Sequence, residues 1–381
     1  MSERDEPLSG VLAGTRVLDF GRYIAGPYCA ALLADLGADV IRIERIGGGE
    51  DRWVAPVGPD GVGAMFLVMN RNKRAMTLDP VSPDGRAIVR KLVATADIVV
   101  ANLPPEVLRS LSIDLDSLRQ IKPDIILTTV TAFGAGGPWS HKHGFDGIGQ
   151  VMAGGAYLTG TPEQPMRASV AWVDFGTASV SAFGTLAALM ARQRTGRGQK
   201  VEAALLRTAV AFNNPTLVEQ QIVQPNRIAT LNRGQTSAPS DLFRTKDGWI
   251  IASAIGGPMF ARWAKLMGEN HWLTDPRFKD DLARGDNGEI ISKRMSEWTA
   301  ERTTAQALRE LEKAKVLAGP LYTPQQALED AHIRAAGLIA DTDYPGLRRP
   351  VPWRRPPSIF PRRRVASVTG LPCSVSTPTR S

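Results

Sequence analysis

Between residues 16 and 130, short apolar runs alternate with helical segments, and this alternation restricts the fold more than any other feature of the chain. Residues 16–20 (Arg-Val-Leu-Asp-Phe) read as a buried strand. Gly26 and Pro27 then open a helix over 28–36, because a proline in the first turn gives up an N–H that has no intrahelical acceptor anyway. Gly37 supplies the stop, and 39–44 is a second strand. Two strands joined through a helix run parallel. The pattern recurs as helix 85–95, strand 97–101, helix 106–111 and strand 124–130, which predicts an α/β, Rossmann-like, doubly wound sheet with helices on both faces. A smaller α/β unit is expected from strand 249–254, helices 259–266, 290–300 and 304–314, and extended chain over 316–326. The expected division is a large domain of 1–200 with 325–381, a linker at 201–240, a small domain at 241–315 and a return linker at 316–324.

The 43% apolar and 22% charged fractions are those of an ordinary globular protein. The net charge of +8 would usually suggest nucleic acid. Its location argues otherwise: residues 348–381 carry eight Arg and no acid, so 46 minus 8 basic residues balance 38 acidic ones in 1–347. No run approaches the roughly 18 uninterrupted apolar residues of a membrane span, and the first residues are polar and acidic. Cys29 and Cys373, with four His, suit neither a disulfide framework nor a metal site. A reduced, cytoplasmic, metal-free protein that binds neither nucleic acid nor membrane is expected.

Chemistry concentrates at Asp174, which heads a long apolar helix running into Thr195-Gly-Arg-Gly-Gln199. One reading makes it a helix N-cap; the other makes it a carboxylate nucleophile at a helix end that favours negative charge. Small residues behind it (Gly176, Ala178, Ser181, Ala182) would let a bulky ligand approach. Neither Gly47–Gly49 nor 134–138 fits a dinucleotide or phosphate-loop fingerprint. The basic cluster Asn70-Arg-Asn-Lys-Arg74 is either a solvated loop or, with Arg42, Arg45 and Arg52, a cradle for cofactor phosphates. His141 and His143 could serve acid–base work or simply lie at the surface.

Taken in order, several motifs resemble the family III coenzyme A transferases, the group named for carnitine and bile-acid CoA transferases and including formyl-CoA transferase. They are Leu12-Ala-Gly-Thr-Arg-Val-Leu-Asp-Phe20, Ala25-Gly-Pro27, Leu33-Ala-Asp-Leu-Gly-Ala-Asp-Val-Ile-Arg-Ile-Glu44, Asn72-Lys-Arg74, Ala96-Asp-Ile-Val-Val-Ala-Asn102, Phe133-Gly134, Gly144-Phe-Asp146, Asp174, Thr195-Gly-Arg-Gly-Gln199, Asp275-Pro-Arg-Phe278 and Ala318-Gly-Pro320. The resemblance implies the family III CoA-transferase fold and an interlocked homodimer. It implies no permanently bound cofactor, with acyl-CoA and a small carboxylic acid as substrates. It makes Asp174, 21 residues before Thr195, the nucleophile, working through mixed anhydrides and an aspartyl-CoA thioester. CoA contacts would map to Arg45, Leu78, Asp79, Asn102, Leu103, Pro104 and His143, and Ile24, Ala25, Phe145 and Asp146 would border the acyl groups.

The chain departs from the family in four places. Ile24 stands where formyl-CoA transferase carries a Gln, so that substrate pair does not carry over. Ser110 replaces a residue often basic in relatives, with Arg109 beside it. Phe145 stands where α-methylacyl-CoA racemases carry His; phenylalanine cannot move a proton, which disfavours that epimerase reading. The Arg-rich end from 354 lacks the family's closing motif, as a frame-shifted or truncated terminus would, and a catalytically silent CoA-binding protein is the non-enzyme alternative.

Overall fold

The computed structural model describes residues 10–58 and 62–354. Of these, residues 10–58, 62–153, 168–214 and 332–354 form one compact unit by contact, and 154–167 with 215–331 form a second.

The larger unit is built on six parallel strands: β1 (Arg16–Asp19), β2 (Asp39–Glu44), β3 (Lys73–Thr77), β4 (Ile98–Ala101), β5 (Ile126–Thr131) and β6 (Lys200–Ala204). Their spatial order is β3-β2-β1-β4-β5-β6, the doubly wound arrangement in which the winding reverses between β1 and β4. Strand alternation sorts the core. Val17, Val40, Ile98 and Ile126 face α1 (Ala25–Asp35) and α7 (Trp172–Thr195), with α2 (Ala64–Asn70) alongside. Leu18, Ile41, Val99 and Leu127 face α3 (Pro83–Val93), α4 (Pro105–Ser110) and α5 (Leu115–Arg119). Both faces of each central strand are therefore apolar, as parallel sheets require.

By length and apolar content alone α7 could cross a membrane, with a mean hydropathy of 1.3 over its most apolar window. Within this unit one face of it is buried in the core. Ala178, Ala182 and Ala188 pack with Ala30, Ala34 and Leu33 of α1. Ala178 and Ala182 thus serve close helix packing, where the expectation had them admit a ligand. The Thr-Gly-Arg-Gly-Gln motif is also structural. Gly196 adopts φ +68° as the left-handed cap of α7, and a Cβ on Gly198 would lie 2.0 Å from the carbonyl oxygen of Ile125. Only glycine lets the chain turn back so closely along β5 to enter β6.

The chain continues into an 18-residue helix, α8 (Leu205–Ile222), so 201–222 is strand and helix where a connector was expected. The second unit carries a three-stranded antiparallel sheet of β7 (Ser240–Arg244), β8 (Trp249–Ser253) and β9 (Leu317–Pro320), with β8 central. Helices α9 (Gly257–Met267), α10 (Asp281–Asp286), α11 (Gly288–Ala300) and α12 (Thr304–Lys313) follow β8. Phe243, Phe260, Trp263, Trp272, Phe278, Met295 and Leu311 form this unit's core. Residues 324–326, expected to be extended, begin α13 (Pro324–Glu329) under a reciprocal Thr323–Gln326 capping box. A final antiparallel ribbon, β10 (Ile339–Thr342) and β11 (Val351–Arg354), returns to the larger unit, where Trp353 and Tyr344 pack on Phe66 and Leu67. The unusual terminus lies, from residue 355, outside the described residues.

Candidate active site

A pocket of about 180 Å³ opens in the larger unit beyond the carboxyl ends of β1, β4 and β5. This is the switch point where the winding reverses, the position at which open α/β sheets bind ligands. Ile24 and Ala25 enter it from the loop that becomes α1, Asn102, Leu103 and Pro104 from the loop before α4, and Val130, Thr131 and Ala132 from the end of β5. His141, Lys142, His143 and Phe145 line its mouth, and Asp174 reaches it from the first turn of α7. A larger cavity of about 540 Å³, lined by Val57, Leu67, Val68, Leu347 and Pro350, holds no carboxylate, imidazole, hydroxyl or thiol that could do chemistry.

The walls are fixed by backbone closure. Arg22 N–H donates to Asn102 Oδ1 (2.7 Å) and Asn102 Nδ2 donates back to the Arg22 carbonyl (2.8 Å). This pair ties the β1–α1 loop to the β4–α4 loop across the switch point. Asn102 therefore lines the pocket with its amide already committed. The helix α1 begins without a side-chain cap, so the N–H groups of Ala25 and Gly26 have no helical acceptor and can meet an oxyanion, whereas Pro27 has no N–H and Tyr28 N–H donates to the Ile24 carbonyl.

Asp174 does not cap α7. The N-cap residue is Ala171, and Asp174 sits at the third helical position. The cap comes from another helix, α6 (Asp146–Met152): Asp146 Oδ1 accepts from the N–H groups of Val173 (2.8 Å) and Asp174 (3.1 Å). The Asp174 carboxylate itself has no hydrogen bond or ion pair among the described residues. Burial first, and then the Asp146 charge, push its pKa up from 3.8 to about 7. A partly desolvated carboxylate without partners, facing a pocket, is a strongly basic oxygen nucleophile for its type.

Eight sequence-expected site residues, Ile24, Ala25, Asn102, Leu103, Pro104, His143, Phe145 and Asp174, meet in this pocket. Four do not line it. Asp146 is buried beneath the floor as the α7 cap. The Leu78 side chain belongs to the core between sheet and helices. Asp79 is exposed at the start of α3, where its carboxylate accepts from Val81 N–H. Arg45 is exposed and paired with Glu50 at 2.7 Å. Thr131 and Tyr23, which line the pocket, and buried Gln150, which donates to Asp146, were not expected; no local spacing distinguishes them.

The basic cluster 70–74 is neither a solvated loop nor a phosphate cradle. Lys73 Nζ is fully buried and donates to Asp19 Oδ2 (2.7 Å), the Pro27 carbonyl (2.7 Å) and Asn70 Oδ1 (3.0 Å). Burial pulls its pKa down to about 8, against the pull of Asp19. Arg71 pairs with buried Asp35, Arg42 with Asp51 (2.7 Å) and Arg52 with Glu44 (2.7 Å), while Arg74, on Asp39, and Arg45, on Glu50, are exposed. These cations are consumed beneath the sheet end. His141 and His143 are both exposed.

Residues 12–367 match the family model described as CoA-transferase family III. A succinyl-CoA–D-citramalate CoA-transferase of Chloroflexus aurantiacus is 34% identical over 339 residues, covering 88% of this chain and 84% of the relative. A succinate–glutarate CoA-transferase of Agrobacterium fabrum is 32% identical, covering 95% and 93%. Among solved structures, a CAIB/BAIF family protein from Brucella suis superposes with a TM-score of 0.81 at 31% identity, covering 94% of this chain and 97% of that one.

Proposed function

This chain belongs to CoA-transferase family III, and we propose that it moves CoA from an acyl-CoA thioester to a free carboxylic acid through covalent chemistry at Asp174. The supporting observation is the unpartnered carboxylate at the pocket floor. An Asp174 oxygen attacks the thioester carbonyl carbon, the C–S bond breaks, and a mixed anhydride and CoA thiolate result. The thiolate attacks the aspartyl carbonyl, giving an aspartyl-CoA thioester and the donor acid. The acceptor carboxylate then runs the exchange in reverse order and leaves as its CoA thioester. Each tetrahedral oxyanion is stabilised by oriented N–H groups, and the uncapped start of α1, which lines the same pocket, is the supply this reading uses.

The same reading gives Ile24, Ala25 and Phe145 to the acyl groups and Asn102, Leu103, Pro104, His143, Arg45 and Asp79 to the CoA path, with no permanently held cofactor. The pocket volume suits the reacting end of the thioester; a whole ligand of CoA size would extend over the surface. The relatives' names point to short dicarboxylic acids and their CoA esters as the first substrates to try. An interlocked homodimer in the cytoplasm completes the proposal. Phe183 and Met190, seven residues apart on α7, are 76% and 65% exposed, and a second chain would cover this apolar stripe. A monomer by light scattering would remove the dimer.

The test of the mechanism is hydroxylamine trapping during incubation with succinyl-, acetyl- or formyl-CoA. The expected product is a hydroxamate at Asp174, found by mass spectrometry and absent from D174N. No Asp174-dependent adduct with any donor would sink the nucleophile assignment. Deuterium uptake at the α-carbon of the acyl-CoA, without any acceptor acid, would favour the epimerase instead.

A further inference from the structure

The floor of the pocket holds a polar device that the transfer chemistry does not use directly. Asp146 and Gln150 lie one turn apart on α6 and are 7% and 2% exposed. Asp146 spends Oδ1 on the Val173 and Asp174 N–H groups, and Oδ2 on Gln150 Nε2 at 2.6 Å. Gln150 in turn accepts from Ala168 N–H at 2.8 Å through Oε1 and donates to the Val170 carbonyl at 3.4 Å. The segment leading into α7 and its first turn are thus gripped from one neighbouring helix, 27 and 28 residues earlier in the chain. Alanine at the N-cap could not do this, having no side-chain acceptor.

Resting on the reading of Asp174 as nucleophile, we propose that Asp146, held by Gln150, is a positioning residue: it fixes the turn that carries Asp174 and keeps a second negative charge beside the reacting carboxylate. The arrangement has two consequences. N–H groups that would otherwise solvate the Asp174 carboxylate are occupied, so its oxygens stay free for attack. The neighbouring charge also makes loss of the Asp174 proton harder, and the oxygen correspondingly more basic. The other titratable side chains lining the pocket are Tyr23 on the β1–α1 loop and His141, Lys142 and His143 on the loop before α6. Asp146 is the charged group that acts on Asp174.

The experiment is a titration of aspartate ¹³Cγ resonances in the full chain, with Asp174 assigned by its loss in D174N. In D146N, which keeps an oxygen acceptor but removes the charge, the Asp174 carboxyl is expected to titrate lower by about one unit, with the acid limb of activity shifted the same way. An unchanged Asp174 titration in folded D146N overturns the proposal. Should D146N fail to fold, Q150A keeps the charge and removes only the tether. It is expected to lose about tenfold in kcat with little change in KM, and a wild-type kcat overturns the proposal. The titration does not need Asp174 to be a nucleophile. A shifted titration with no trapped hydroxamate would therefore remove the nucleophile reading and leave the electrostatic coupling standing.

Discussion

Asp19 and Asp174 are both withdrawn from water in the same unit, yet their surroundings are opposite. Asp19 is fully buried at the end of β1, and both its oxygens are answered: Lys73 Nζ on one and Gly21 N–H, at 2.8 Å, on the other. Through Lys73 it also holds the Pro27 carbonyl in the first turn of α1. Asp174 is half-buried and answered by nothing except a like charge. A buried carboxylate with its full set of partners fixes structure, because removing any partner leaves an uncompensated charge. One left without partners stores an unfavourable free energy that bond formation can release. Burial alone does not mark a reactive group; missing partners do.

The largest stability effect expected from this contrast lies on the Asp19 side. K73M leaves the Asp19 carboxylate and the Pro27 carbonyl buried without a cation, while Asn70 Oδ1 keeps Arg42, and should destabilise by about 3–5 kcal/mol in urea unfolding. Adding D19N should recover a good part of that loss. If the double variant is as unstable as K73M, the pairing is not what makes Asp19 quiet.

D174N should change stability in the opposite direction. The folded carboxyl has its pKa raised to about 7 from 3.8, so between these values the unfolded chain sheds a proton that the folded chain retains. The penalty is absent below about pH 4, grows as pH rises to 7 and is constant above. Asparagine carries no such penalty. D174N should therefore gain about 2 kcal/mol over the wild type at pH 8, allowing for partial exposure, and nothing at pH 4. A gap independent of pH would break the comparison.

The smallest effect belongs to an ion pair that is neither buried nor reactive. Arg74 meets Asp39 at 2.7 Å with 65% of its side chain exposed. R74A should cost less than about 1 kcal/mol and fade in salt. A loss as large as that of K73M would mean that pairing matters regardless of burial.

Much of this was legible in the chain. The strand at 39–44 coincides with β2, and the parallel winding follows from strands separated by helices. Asp174 is singled out by its place before a long apolar helix, and it meets the pocket from that helix's first turn; its role as nucleophile rests on the family resemblance. The basic cluster was misread because its partners, Asp35, Asp19 and Asp39, lie 35 to 54 residues away on other elements. The connector at 201–222 was misread because β6 is an edge strand with alternating charged residues, Lys200 and Glu202, and resembles a loop. Asp146, expected beside substrate, instead accepts from the N–H groups at the head of α7.

By itself the sequence determined what depends on neighbours along the chain: the two-residue alternation that sorts Val17 from Leu18, the proline and glycine punctuation of α1, and the glycine stop of α7. Tertiary structure decided which charges would be cancelled. Cancellation depends on distance in space, and the sheet order brings Lys73 to Asp19, and α6 to the head of α7, across intervals that no local pattern encodes. Among the described residues the same closure pairs no cation with Asp174, and that is why the proposed chemistry falls to this aspartate.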